Sequence, residues 1–342
     1  FKSKFTVNPN FKYKPIKINP YELTKSLHSI DTTQIEDITI RHLYESVITG
    51  CIDKINLLSS IGTDKFLYNS LRYFGRPNKV DIRNAEYILL LPEIKEENIR
   101  GQRFGVDKAK EIFEEAFENY GFKGKIKVDK KSLSTVMVIN STKTVVLKDG
   151  ATFSQNELQY LAEHEIGVHM VTTMNATNNK LKIFSVGLPI NTRTGEGMAV
   201  LSEYLSGNFT MNRLRELALR VVAVDLMCNG SDFKECFNSL VQDYKIEHNR
   251  AYNLVTRVYR GGGFTKDYLY LNGFSQLFKF WQDGNDLTPL LVGKTSIGFY
   301  NTIVEMIDRN LIEKPQFITK SFAKPRTELN NELFDYILSG LK

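Results

Sequence analysis

The sequence predicts an α+β protein, mostly helical, with a small antiparallel sheet beside one histidine-bearing helix. Three observations predict it. Apolar residues recur at three- and four-residue spacing over most of the chain, which marks one face of an α-helix. That period gives way to alternation only between residues 125 and 147, where β-branched residues cluster. A capping box, Ser154-Gln-Asn-Glu157, then opens a helix carrying Leu161-Ala-Glu-His-Glu-Ile-Gly-Val-His-Met170.

Residues 1–28 read as a basic, extended arm, because Pro9, Pro15 and Pro20 block a long helix. Lys2, Lys4, Lys12, Lys14, Lys17 and Lys25 face Glu22 alone in this stretch, and they supply most of the net charge of +6. Such an arm could steer an acidic partner, or serve as a solubilising edge. Its interleaved Phe and Tyr residues suggest docking on the body.

Residues 29–100 read as a helical subdomain without chemistry. Asp31-Thr-Thr-Gln precedes an amphipathic helix over 35–60, with Ile38, Leu43, Val47, Cys51, Ile55 and Leu58 among its apolar positions. A short helix over 65–74 is closed by Gly75 and Pro77, and another follows over 81–91. Residues 92–103 form a charged connector.

Residues 101–342 would form the domain that carries the chemistry. A helix over 106–120 stops at Gly121. Strands over 125–128, 134–139 and 143–147 follow, the last two joined by Asn140-Ser-Thr as a hairpin. The Ser154 helix runs to about residue 175. A second one, capped by Thr194, ends near Gly207 and carries Glu196 in its first turn. Further helices span 211–228, 232–244, 247–259, 273–281, 295–311 and 328–341, with a loop at 312–327.

Composition narrows the class. The three cysteines, Cys51, Cys228 and Cys236, form no Cys-x-x-Cys pair, which favours a reducing, cytoplasmic setting. The first residue is Phe1, so a leader ahead of it stays open. No apolar run reaches the roughly 20 residues of a membrane span, and Arg220 and Asp225 interrupt the longest candidate. No finger or RNA-binding motif supports nucleic-acid binding. Oligomeric state stays open.

The chemistry concentrates at His164, Glu165 and His169. Neutral imidazole is the usual zinc ligand, and a neighbouring carboxylate can take a proton from water. In a regular helix with about 100° per residue, positions five apart lie roughly 140° from each other. Imidazoles so placed cannot share an ion. Either the helix absorbs an extra residue as a π-bulge, helped by Gly167, or the histidines point apart. A third ligand would come from Glu196, with Glu203 two turns on as the fallback. Gly261-Gly-Gly lacks the Lys-Ser/Thr ending of a phosphate loop; a tight turn bringing residues 264–267 to the site fits better.

His164-Glu-Ile-Gly-Val-His169, Gly195-Glu-Gly-Met-Ala199 and Gly262-Gly-Phe-Thr-Lys-Asp-Tyr-Leu-Tyr-Leu-Asn-Gly273 together resemble the microtubule-associated tyrosine carboxypeptidase family, including bacterial relatives with a Gln-Glu-Gly-Leu-Ala motif. The resemblance covers about residues 20–340. It implies a zinc-metallopeptidase fold with one Zn²⁺ per chain on His164, His169 and Glu196, and Glu165 as general base. It also implies removal of a C-terminal residue, Tyr or another aromatic, from a peptide or protein tail. Vertebrate members act so on α-tubulin. This chain departs at Gly195, Met198 and Val168, where Gln, Leu and Thr are usual. No ligand is lost, but the pocket's preference is put in question.

Such an enzyme needs a donor for a tetrahedral oxyanion, for which Tyr270 or Tyr268 is a candidate. It also needs a cation for the terminal carboxylate: Lys266, favoured by its glycine-rich approach, or Arg257, Arg260 or Arg193. The alternative is a non-catalytic metal-binding or regulatory interaction module on the same fold.

Overall fold

The computed structural model describes residues 7–14, 19–91, 102–132, 134–323 and 332–342. Pro15, most of the connector at 92–103 and the start of the last helix lie outside the described residues, as do Lys2, Lys4 and Lys17.

Residues 7–14 form neither helix nor strand and dock on the body as expected. Asn8 bonds to Asp232 and to the Lys234 N–H, and the Phe11 ring sits 6.2 Å from that of Phe233. Residues 20–28, read as part of the arm, are instead helix α1 (Pro20–His28). Pro20 does not block it, since at the first helical position the missing N–H has no partner to lose, and Asn19 caps the end.

Helix α2 (Ile38–Ser59) starts later than expected, with Asp37 as its cap, while Asp31 caps only a 3₁₀ turn. Leu43 and Val47 are buried, but Ile38 and Leu58 are exposed and Leu57 takes the inward place. Helices α3 (Phe66–Phe74), α4 (Lys79–Leu90) and α5 (Val106–Tyr120) follow as predicted. An Asn78/Asp81 capping box opens α4, and Gly121 in the left-handed region ends α5.

The sheet is small as expected, but mixed rather than antiparallel. Strands β1 (Lys125–Asp129), β2 (Val136–Ile139) and β3 (Thr144–Lys148) lie in the order β1-β3-β2. The β2–β3 hairpin is antiparallel, but β1 pairs with the far edge of β3 in parallel register, Lys125 opposite Thr144. Thr144, Val145, Val146 and Leu147 are all buried. Placing the most apolar strand in the middle shields it on both edges, and that preference overrides simple hairpin succession.

The rest is helical: α6 (Gln155–Ala162), a π-helical segment (Glu163–Met170), α7 (Val171–Asn178), the short α8 (Ile183–Val186), α9 (Asn191–Leu205), α10 (Met211–Cys228), α11 (Phe233–Gln242), α12 (His248–Tyr259), α13 (Leu269–Gln282), α14 (Tyr300–Asp308) and α15 (Glu332–Ser339). The helix expected over 295–311 begins instead as a 3₁₀ turn, Ile297–Phe299. One continuous apolar cluster runs from Leu43 to Leu338. At its centre the π segment packs on α9, α9 on α13, and β2 flanks the π segment. Among the described residues no helix is long and apolar enough to cross a membrane.

Candidate metal centre

The predicted distortion is present and longer than one bulge: all of Glu163–Met170 is π-helix, continuous with α6 and α7. Bonding from i to i+5 widens the turn, so residues five apart come round to one side. The His164 and His169 rings accordingly meet with centroids 4.9 Å apart, inclined at 77°. Gly167 serves this segment through space rather than through an unusual backbone angle. A Cβ there would lie 3.1 Å from Glu163 Oε2 and 3.4 Å from the Tyr120 hydroxyl. Its carbonyl accepts a 2.7 Å bond from the buried Thr319 hydroxyl.

Glu196 arrives from α9, which begins four residues earlier than expected. Thr194 is inside the helix, and its hydroxyl accepts from the Ile297 N–H rather than capping the end. Glu196 therefore lies in the second turn. The glycine beside it sets how close the next element comes: a Cβ on Gly197 would lie 2.4 Å from the Gly273 carbonyl carbon, and one on Gly273 would lie 2.2 Å from the Arg193 oxygen. Helices α9 and α13 cross backbone on backbone, and this brings Lys266 and Tyr270 to Glu196.

The geometry at the crossing suits a cation. Glu196 Oε2 stands 3.5 Å from Nε2 of His164 and 3.5 Å from Nε2 of His169. Ligand bonds of about 2.0–2.1 Å in a tetrahedral site put ligand atoms about 3.4 Å apart. That oxygen is buried without a hydrogen-bond partner, an arrangement that costs free energy unless something positive faces it. Among the described residues His164, His169 and Glu196 are the group that could hold a metal ion.

The surrounding charges hold these side chains in place. Glu203, the fallback ligand, faces away from the gap between the imidazole Nε2 atoms. Its Oε1 lies 2.7 Å from His164 Nδ1, and Arg213 grips both its oxygens at 2.9 Å. This carboxylate–histidine pairing is the usual support behind a metal-binding imidazole. Burial alone would depress His164, but the Glu196, Glu203 and Glu165 carboxylates around it raise it to about 9. Burial pushes Glu196 up, yet Lys266 and the two histidines hold its carboxyl well below the usual range. Glu165 is buried next to His164, whose protonated form its charge favours.

The remaining candidates divide into two sets. Tyr270 joins the site, its ring stacked 6.5 Å from His164, with Lys266 Nζ at 5.5 Å and the Arg220 guanidinium at 4.9 Å from its centroid. Lys266 Nζ lies 2.8 Å from Glu196 Oε1. The turn at Gly261–Gly263, with φ of 78°, 111° and 119°, delivers it there. Arg257 is engaged with the buried Asp267 through Nε and Nη2 at 2.6 and 3.0 Å. Arg260 lies over the Phe264 ring. Tyr268 is buried and donates to the Phe74 carbonyl at 2.7 Å, with Arg193 beside its hydroxyl.

Sequence reasoning missed Arg213, Glu216 and Arg220. A signal existed: charges spaced three and four apart in the otherwise apolar α10.

The family described as Microtubule-associated tyrosine carboxypeptidase matches residues 1–341. No curated protein matches the chain.

Proposed function

The chain belongs to the microtubule-associated tyrosine carboxypeptidase family, and from that premise we propose that it is a zinc metallocarboxypeptidase removing the last residue, Tyr or another aromatic, from a peptide or protein tail. The observation that carries the proposal is the orphaned Glu196 Oε2, buried between two imidazole nitrogens.

His164, His169 and Glu196 would hold the ion. A bound Zn²⁺ supplies Lewis acidity that polarises a carbonyl and acidifies water. Glu165, adjacent to a ligand and shielded from bulk solvent, is the proton acceptor in this reading. The Tyr270 hydroxyl donates to the oxyanion that forms when the carbonyl is attacked. Lys266 is held by Glu196, Arg257 by Asp267, and Arg193 lies beside the Tyr268 hydroxyl that donates to the Phe74 carbonyl. That leaves Arg260, whose charge acts on Asp267 and Tyr270, to receive the terminal carboxylate. The outer edge of β2, beside the π segment, offers main-chain groups to an extended substrate. The free cysteines and the family's association with microtubules support a cytoplasmic setting.

The test is mass spectrometry of peptides that differ in their last residue, with and without chelator. Loss of one C-terminal residue, abolished by chelation, is expected. Internal cuts or N-terminal trimming would contradict the assignment. One equivalent of zinc with no product would favour the non-catalytic module.

A further inference from the structure

We infer that Arg213, Glu216 and Arg220, on one face of α10, are positioning residues that hold His164 and Tyr270 from behind, as a single relay. The inference rests on the carboxypeptidase reading and extends it to residues that touch neither metal nor substrate.

The contacts close into a circuit. His164 Nδ1 meets Glu203 Oε1 at 2.7 Å, and Arg213 clasps Glu203 through Nε and Nη2 at 2.9 Å each. Arg213 Nη1 stands 3.8 Å from Glu216 Oε1. The same Glu216 oxygen accepts from Arg220 Nη2. The Arg220 guanidinium lies 4.9 Å from the Tyr270 ring centroid, and that ring stacks on His164. Residues 213, 216 and 220 are three and four apart, so they share one helical face. Glu216 is the anion between the two arginines.

Stability alone is a poor reason for this arrangement. The Arg213, Arg220 and Glu203 side chains are 10%, 9% and 0% exposed, and Glu216, at 36%, is the most open of the four. Apolar residues of similar size often serve such positions equally well or better. What ions provide and hydrocarbon does not is direction. Arg213 fixes which way Glu203 faces, and hence the plane of the His164 ring; Arg220 fixes the tilt of Tyr270. Because both arginines share Glu216, neutralising that one carboxylate loosens the ligand and the hydroxyl together.

The experiment compares Glu216→Gln, Arg220→Lys, Arg220→Met and Tyr270→Phe in the full chain. Zinc affinity is read by chelator competition, kcat and KM on the best peptide, and Tm alongside. Losing support behind a metal ligand costs about 10- to 100-fold in affinity or activity. Glu216→Gln should therefore weaken zinc binding and lower kcat by about tenfold or more, with KM little changed. Arg220→Lys keeps a cation over the ring and should retain most of kcat; Arg220→Met should not. In a Tyr270→Phe background Glu216→Gln should lower kcat much less than it does alone, yet still weaken zinc. Wild-type zinc affinity and kcat in Glu216→Gln, whatever its Tm, would overturn the relay. So would Lys and Met behaving alike at position 220. If the wild-type protein binds zinc but cleaves nothing, the carboxypeptidase reading falls and chelator competition alone decides the relay. If it binds none, both fall.

Discussion

Lys266 Nζ lies 2.8 Å from Glu196 Oε1, while the other oxygen of that carboxylate faces His164 and His169. One carboxylate thus has one oxygen neutralised by the protein and one turned to the imidazoles. Burial would depress the Lys266 amine, but Glu196 raises it above the ordinary lysine range, and Lys266 in turn holds the Glu196 carboxyl low. A lysine that fixes a ligand acts differently from one that receives a substrate.

Replacing Lys266 separates those roles. Lys266→Met should weaken zinc binding by about tenfold, the usual cost of removing a ligand's support. A change confined to KM, with zinc affinity intact, would show that the amine binds the substrate carboxylate instead. Chelator competition and steady-state kinetics on one peptide distinguish the two.

Glu165→Gln should keep one zinc per chain and lose about 10²- to 10⁴-fold in kcat, the range for a general base. His169→Ala should lose both metal and turnover. Elemental analysis beside peptide mass spectra checks each. Full activity in Glu165→Gln would remove the base from the mechanism.

Gly197→Ala drives a Cβ to 2.4 Å from the Gly273 backbone. Neither backbone can swing aside as a flexible side chain would, so α9 and α13 must separate. A loss of about 1–3 kcal/mol in urea unfolding is expected for such overpacking. Gly195, also in α9 but with nothing within 4 Å of its Cβ position, should accept Ala with no such loss.

Asp267 gives the chain an acid-sensitive element. Burial would raise its carboxyl, but Arg257, Arg220 and Arg260 bring it down to about 2 from 3.8. A depressed carboxyl contributes stability above the unfolded value, and that contribution is lost as pH falls from about 4 towards 2. The shift corresponds to something on the order of 2 kcal/mol. Urea midpoints of wild type and Asp267→Asn should differ at pH 7 and converge near pH 2. A gap that persists unchanged there would mean that the Asp267–Arg257 pair does not titrate as described.

The extent to which the sequence could be read follows from how local each signal is. Ser154 and Glu157 are three residues apart and form their capping box within one turn, so the start of the histidine helix was legible. The five-residue histidine spacing also carried a geometric demand, since in a regular helix the two rings diverge; the π segment answers it. Glu196 announced itself by its glycines. The parallel pairing of β1 was not legible, because strand order depends on which strand most needs the middle, and that is a comparison across the sheet.

By itself the sequence determined a mostly helical chain, a histidine spacing that must either distort the helix or part the two rings, and Glu196 and Glu203 as the candidate third ligands. Those follow from residue type and spacing, which act over one or two turns. Only the tertiary structure decided that Glu203 stands behind His164, that Lys266 faces Glu196, and that the charges of α10 gather behind the site. The first two pairings join residues 39 and 70 positions apart, and a close approach of backbones at Gly197 and Gly273 sets the distances at which Lys266 and Tyr270 act.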